Sequence, residues 1–203
     1  MKYLAIDCSG KSLIVVAVNG DKKQVYENAN CGVMHSVELM GRVEEVLTAT
    51  GLTVNGLDFI ACVTGAGSFT GIRIGVATVK ALCFAAEKPC LTITSFDTIA
   101  YNKSEGKRLA VIDAGHGGYY VCGYDGDKVS LSPCYIDGDA LKKAAAEYAL
   151  MSFAPIPNVD TEVVSAAEGL IKAVDLKVDC GLTDASALTP LYVRKSQAEE
   201  GRL

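Results

Sequence analysis

Apolar and polar positions fall in blocks along the chain. Residues 3–7 form a short apolar run closed by an acid, Asp7, and residues 12–18 are almost continuously apolar. Residues 23–28 are mixed. Short apolar runs bounded by turn residues read as strands, and the second, being apolar throughout, is expected to be central. Cys8-Ser9-Gly10-Lys11 and Asn19-Gly20-Asp21 supply the turns, the latter of hairpin type. From residue 36 the period becomes helical. Leu39, Met40, Val43, Val46 and Leu47 share one arc, Glu38 and Glu45 lie opposite, and Gly51 closes the segment. An apolar strand at 57–63, a long apolar helix at 71–86 and a strand at 89–93 follow.

The order then repeats. Residues 108–113 (Arg-Leu-Ala-Val-Ile-Asp) echo residues 3–7 (Tyr-Leu-Ala-Ile-Asp). Strands are expected at 119–124 and 128–136, after the glycine turn 115–118 and the hairpin turn Asp125-Gly126-Asp127. A helix is expected at 139–148, a strand at 149–156, a helix at 161–174 interrupted at Gly169, and a short helix at 184–188. Residues 195–203 are polar and expected to fray. Two β-β-β-α-β-α units give the expected architecture: an α/β protein of two lobes, residues 1–102 and 103–203, like the actin, Hsp70 and sugar-kinase (ASKHA) superfold.

Between strand 57–63 and helix 71–86 lies Gly65-Ala66-Gly67-Ser68-Phe69-Thr70-Gly71-Ile72-Arg73-Ile74-Gly75. Strand, glycine loop and helix N-terminus is the layout of an anion site, but the spelling is wrong for one. Gly71 is not followed by Lys-Ser/Thr, and Gly65-Ala66-Gly67 meets its next glycine one residue late for a dinucleotide fingerprint. Gly10-Lys11-Ser12 has no Walker loop around it and precedes a strand. A tight strand-to-helix turn is favoured over a nucleotide cradle.

The run closely resembles the G-P-G-S-F-T-G-[IL]-R-[IV]-G signature of the TsaB (YeaZ-like) family, departing from it only at Ala66. His35-Ser36 resembles the H-S that opens the family's first helix, and Pro190-Leu191-Tyr192-Val193-Arg194 resembles its P-x-Y-x-R ending. The resemblance implies a non-catalytic accessory subunit of the bacterial machinery that makes threonylcarbamoyladenosine in tRNA. It would pair with a TsaD-like catalytic subunit, with a TsaE-like ATPase as third member. The catalytic subunit would transfer a threonylcarbamoyl group to N6 of an adenosine beside the anticodon. ATP and metal are then expected on the partners, with no cofactor on this chain. The alternative is a peptidase or small-molecule kinase of the same superfold; a homodimer of the lone chain is a third reading.

The chemistry of single residues points the same way. The catalytic relatives carry H-x-x-x-H after the strand that follows the signature helix; here Ser95 and Ile99 stand in that register, and isoleucine ligates nothing. Asp97 between them is expected to cap the next segment. Asp7 and Asp113 match the phosphate- and metal-serving acids of the nucleotide-binding superfold, with Gly115 and Gly117 beside a phosphate, or they simply close turns. Ser68 has no histidine near it to act as base. Ser36 is expected to cap its helix with His35 outside. The candidate partner surface is His35, Leu39, Met40, Arg42, Val43, Gly71, Arg73, Gly75, Thr78 and Lys80, the small residues admitting another backbone.

Composition narrows the classes. Of 203 residues half are apolar, and the net charge is −5 with no basic run. Contact with tRNA is therefore expected only through the complex. The eight cysteines contain no C-x-x-C pair, which points to a reducing cytoplasm. The first apolar run is too short for a secretory core. Arg73 and Lys80 interrupt the most apolar helix, so no membrane span is expected.

Overall fold

The structure, a computed structural model, describes residues 1–194; the tail at 195–203 lies outside the described residues. Its first three strands, β1 (Lys2–Asp7), β2 (Leu13–Asn19) and β3 (Lys22–Asn28), form an antiparallel meander. Helix α1 (His35–Thr50) leads to β4 (Phe59–Val63), α2 (Phe69–Ala86), β5 (Cys90–Ile93) and a short α3 (Ser95–Ala100). Strands β4 and β5 are parallel to β1, so each helical crossover lies on a face of the sheet. The repeat follows with β6 (Lys107–Gly115), β7 (Gly118–Asp125), β8 (Lys128–Asp137), α4 (Gly138–Ala144), β9 (Ala149–Ser152), β10 (Glu162–Val163) and α5 (Ala166–Gly181). A two-residue strand, β11 (Leu182–Thr183), closes the series.

Two sheets result, ordered β11-β5-β4-β1-β2-β3 and β10-β9-β6-β7-β8. β11 comes from the far end of the chain and pairs with β5. The first sheet is thus not built by residues 1–102 alone. Helices α1 and α2 cover one face of this sheet, through Leu39, Val43, Val76 and Val79. On its other face α3, α5 and the inner side of the second sheet share one core, which holds Phe96, Ile99, Leu170, Tyr124 and Met151. Helix α4 closes the outer face of the second sheet through Leu141.

Three local expectations change. Helix α5 runs unbroken through Gly169, and a Cβ there would stand 1.7 Å from the Thr98 carbonyl oxygen. The glycine is a contact point between α5 and α3, not a helix break. The segment at 184–188 is a single 3-10 turn, Ala185–Ala187. Helix α1 begins at His35 with no side-chain cap, since the 3-10 turn Gly32–Met34 runs directly into it and supplies the preceding turn. Ser36 is therefore inside the helix and is not its cap.

Candidate functional site

The three loops at the carboxyl ends of β1, β4 and β5 are knitted together. The Ser68 N–H donates to the Ser9 carbonyl (2.7 Å), and the Ser95 N–H donates to the Gly65 carbonyl (2.7 Å). Glycine is required where the signature loop crosses the first turn. A Cβ on Gly67 would lie 2.1 Å from the Ser9 oxygen, and one on Gly71 would lie 2.0 Å from the Cys8 oxygen. The Ser68 hydroxyl accepts from the Gly71 N–H (3.3 Å) and caps α2.

This knot floors a cleft of about 1360 Å³ between the lobes. Asp7 and Asp113 both line it, so the structure brings together the two acids that the repeat relates. Asp7 is buried at the end of β1, where its Oδ1 accepts from the Ser9 N–H and hydroxyl, each at 2.7 Å. The Ser9 hydroxyl is also 2.8 Å from that of Ser95. Burial pushes the Asp7 carboxyl above its ordinary range, and the Ser9 hydrogen bonds oppose that rise. Asp113, on the opposite wall, is exposed and accepts from the Gly115 N–H at 2.7 Å. Gly115 and His116 line the cleft beside it.

A nucleotide's phosphates need N–H donors that are free and aimed at them. Here the Gly115 N–H is held by Asp113, the Ser9 N–H by Asp7 and the Gly71 N–H by Ser68. These three N–H groups are held within the chain and are not free to meet a phosphate. Among the described residues no three of His, Cys, Asp and Glu converge as metal ligands. Ser95 is tied into the Ser9–Asp7 cluster and Ile99 is fully buried.

Asp97 is more than a cap. It does close a capping box with Thr94. Its Oδ2 accepts from the Thr94 N–H (2.8 Å) and hydroxyl (2.7 Å), and from Lys177 Nζ (2.5 Å) of α5. Its Oδ1 accepts from the Tyr124 hydroxyl (2.9 Å) of β7. One buried carboxylate therefore joins α3, α5 and the second sheet. The Thr94-x-x-Asp97 spacing signalled the cap; nothing in sequence signalled partners 27 and 80 residues away.

The candidate partner surface divides. His35 is buried, its Nδ1 2.5 Å from the Gly32 carbonyl and its Nε2 3.1 Å from that of Ser12. Leu39 and Val43 are in the core under α1. Gly71 and Gly75 are buried facing Cys8 of their own chain, and a Cβ on Gly71 would run into the Cys8 carbonyl oxygen, so neither is open to a second protein. These five are corrections: each is buried against its own chain, Leu39 and Val43 on the sheet and the other three on the loops beside it. Met40 (52% exposed), Arg42, Arg73, Thr78 and Lys80 do reach the surface. Arg42 sits over the Tyr26 ring and pairs with Glu45. The candidate surface left out Val33 (92%), Val37 (69%) and Phe84 (87%), the most exposed large apolar side chains among the described residues. Val37 and Met40 share one side of α1 at helical spacing, a signal that the merging of Met40 with the core arc had hidden.

Helix α2 is long and apolar enough to cross a membrane by length and composition alone, with mean hydropathy 1.4. In the fold its buried side, including Ile72, Val76, Val79 and Cys83, lies on the sheet.

Two lobes built on repeated β-β-β-α units, with a cleft between the ends of their first strands, define a protein of the ASKHA class. Residues 29–160 match the TsaD family, tRNA N6-adenosine threonylcarbamoyltransferase. The Escherichia coli tRNA threonylcarbamoyladenosine biosynthesis protein TsaB is 30% identical over 63% of this chain and 57% of its own length. An uncharacterized Mycobacterium tuberculosis protein is 30% identical over 81% of this chain and 77% of its own. The fold matches YeaZ from Pseudomonas aeruginosa with a TM-score of 0.80, at 22% identity, over 94% of this chain and 99% of that one. The chain belongs to this TsaD-like family, in its TsaB (YeaZ-like) branch. It spans about half the length of the first curated TsaB relatives it matches.

Proposed function

We propose that this chain is a non-catalytic accessory subunit in the synthesis of threonylcarbamoyladenosine in tRNA, and that it pairs with a TsaD-like catalytic subunit through the outer face of α1 and α2. The observation that carries this reading is the apolar side of that helix pair. Val37, Met40 and Phe84 are more than half exposed, on helices whose other sides are packed on the sheet. Large apolar side chains on one helix layer mark a protein-binding face. Arg73 and Lys80 supply the charged rim such faces carry. In this arrangement the catalytic subunit holds metal and substrate, the TsaE-like ATPase completes the assembly, and tRNA is met through the complex. The accessory role is supported by Ser95 and Ile99, which leave the histidine positions of the catalytic relatives without a metal ligand pair.

Reconstitution tests the reading. With the catalytic subunit, the ATPase and the enzyme that makes threonylcarbamoyl-adenylate present, omission of this chain is expected to abolish N6-threonylcarbamoylation of tRNA. Full modification without it would overturn the proposal. So would ATP or peptide hydrolysis by the isolated chain that is lost in Asp7→Asn or Asp113→Asn.

A further inference from the structure

The last described residues do not simply trail from the second lobe. After β11 the chain crosses the top of the first sheet. Leu188 is fully buried among the side chains under α2. Three residues later the Leu191 N–H donates to the Thr64 carbonyl (2.8 Å), and Leu191 and Val193 pack on the core that lies on the other side of that sheet. The segment thus passes from one face to the other over the carboxyl end of β4, directly above the signature loop. A Cβ on Gly65 would stand 2.8 Å from the Leu191 oxygen, so the loop is shaped to let the segment by.

Side chains fasten it to both lobes. On the first lobe, the Tyr192 ring stacks on Phe69 with centroids 4.4 Å apart and planes 10° apart. Arg73 Nε donates to the Tyr192 hydroxyl (2.9 Å), and its guanidinium lies 5.6 and 5.7 Å from the two ring centroids. Offset ring stacking and a cation over the ring edge reinforce each other. On the second lobe, the Arg194 guanidinium lies 4.4 Å over the ring of Tyr135 in β8. Phe69, Tyr135 and Arg194 all line the interlobe cleft. We propose that residues 188–194 are a strap across this cleft that sets how far the two lobes open, and that the Phe69–Arg73–Tyr192 stack is the clip that holds it.

This gives the Phe and Arg of the glycine-rich run a task the phosphate reading could not: they grip the chain's own C-terminal segment. The strap is short and anchored on both sides, so opening the lobes must break the clip or the Arg194–Tyr135 contact. Tyrosine at 192 supplies both a ring and a hydroxyl, and the two parts are separable by substitution.

Pulsed electron paramagnetic resonance on the full chain tests the strap. Spin labels on ketone-bearing residues placed at positions 11 and 116, on opposite walls of the cleft and both exposed, avoid the native thiols. The unaltered strap is expected to give one narrow distance distribution. Tyr192→Ala is expected to broaden it and move it to longer distances, as is Arg194→Ala. Tyr192→Phe keeps the stack and should stay close to the unaltered chain. Far-ultraviolet circular dichroism confirms that each variant is folded; if Tyr192→Ala does not fold, Arg194→Ala alone decides. An unchanged distribution in the folded alanine variants would overturn the proposal. So would a broadening in Tyr192→Phe as large as in Tyr192→Ala, since the ring stack would then hold nothing.

Discussion

Asp7 shows how one residue serves the fold at some expense to it. Its carboxyl is buried, which disfavours the charged form and raises the pKa more than the two Ser9 hydrogen bonds lower it. An unfolded aspartate titrates near ~3.9. Between that value and the raised one the folded chain holds a proton that the unfolded chain has lost. Stability contributed by this group is therefore present below the unfolded pKa and declines as pH rises through the folded one. Asp7→Asn removes the charge and keeps an oxygen to accept from Ser9. Urea unfolding is expected to find the variant more stable than the unaltered chain at pH 7, with the difference vanishing near pH 3. A variant destabilised at pH 7 but not near pH 3 would show instead that the ionised carboxylate is needed by the loop. The buried thiols follow the same physics: burial pushes Cys83 up to about 12 and Cys122 to about 11, far from thiolate reactivity.

At the scale of elements, glycine decides where helices touch. Exposed in a helix, Gly169 would be worse than alanine by about 1 kcal/mol. Facing Thr98 it is the residue that lets α5 lie on α3, with Asn102 Nδ2 also 2.5 Å from where a Cβ would be. Close helix approach there brings Lys177 to Asp97 and Asn102 to the Ser165 carbonyl (3.0 Å). Gly169→Ala is expected to lower unfolding stability by about 2 kcal/mol or more, as overpacked backbone contacts do, despite the better helix former. A neutral or stabilising outcome in the same urea titration would mean that α5 stands off α3. Elements were read well where they were apolar and regular: the paired meanders, α1, and α2 from its signature. The second unit was read less well, because α4 and β9 are short and β10 and β11 are two-residue strands whose pairing is their only definition.

For the whole molecule, the layered order leaves the outer side of α1 and α2 as the proposed docking face. Met40→Glu and Val37→Glu place a charge on exposed positions, so the isolated chain's stability should change by no more than about 0.5 kcal/mol. Binding of the catalytic subunit, followed by calorimetry, is expected to weaken at least about tenfold, some 1.4 kcal/mol, because the charge would be buried without a partner. Unchanged affinity in both variants would move the docking face elsewhere. A large loss of stability in the isolated chain would mean that these side chains belong to its core.

Local information was enough for the repeat, the strand order within each meander, the family signature and the pairing of Asp7 with Asp113 as related strand ends. These depend on period, turn residues and spelling, all of which act over a few neighbours. Burial within an apolar helix was not legible in the same way. His35, Leu39, Val43, Gly71 and Gly75 looked like surface candidates until the first sheet and its Cys8–Ser9 turn came to lie against them. Nor did any local pattern place Lys177 and Tyr124 on Asp97, or Tyr192 on Phe69 and Arg73. Those contacts join residues that share no period and meet only when the two lobes stack, so tertiary structure alone decided them.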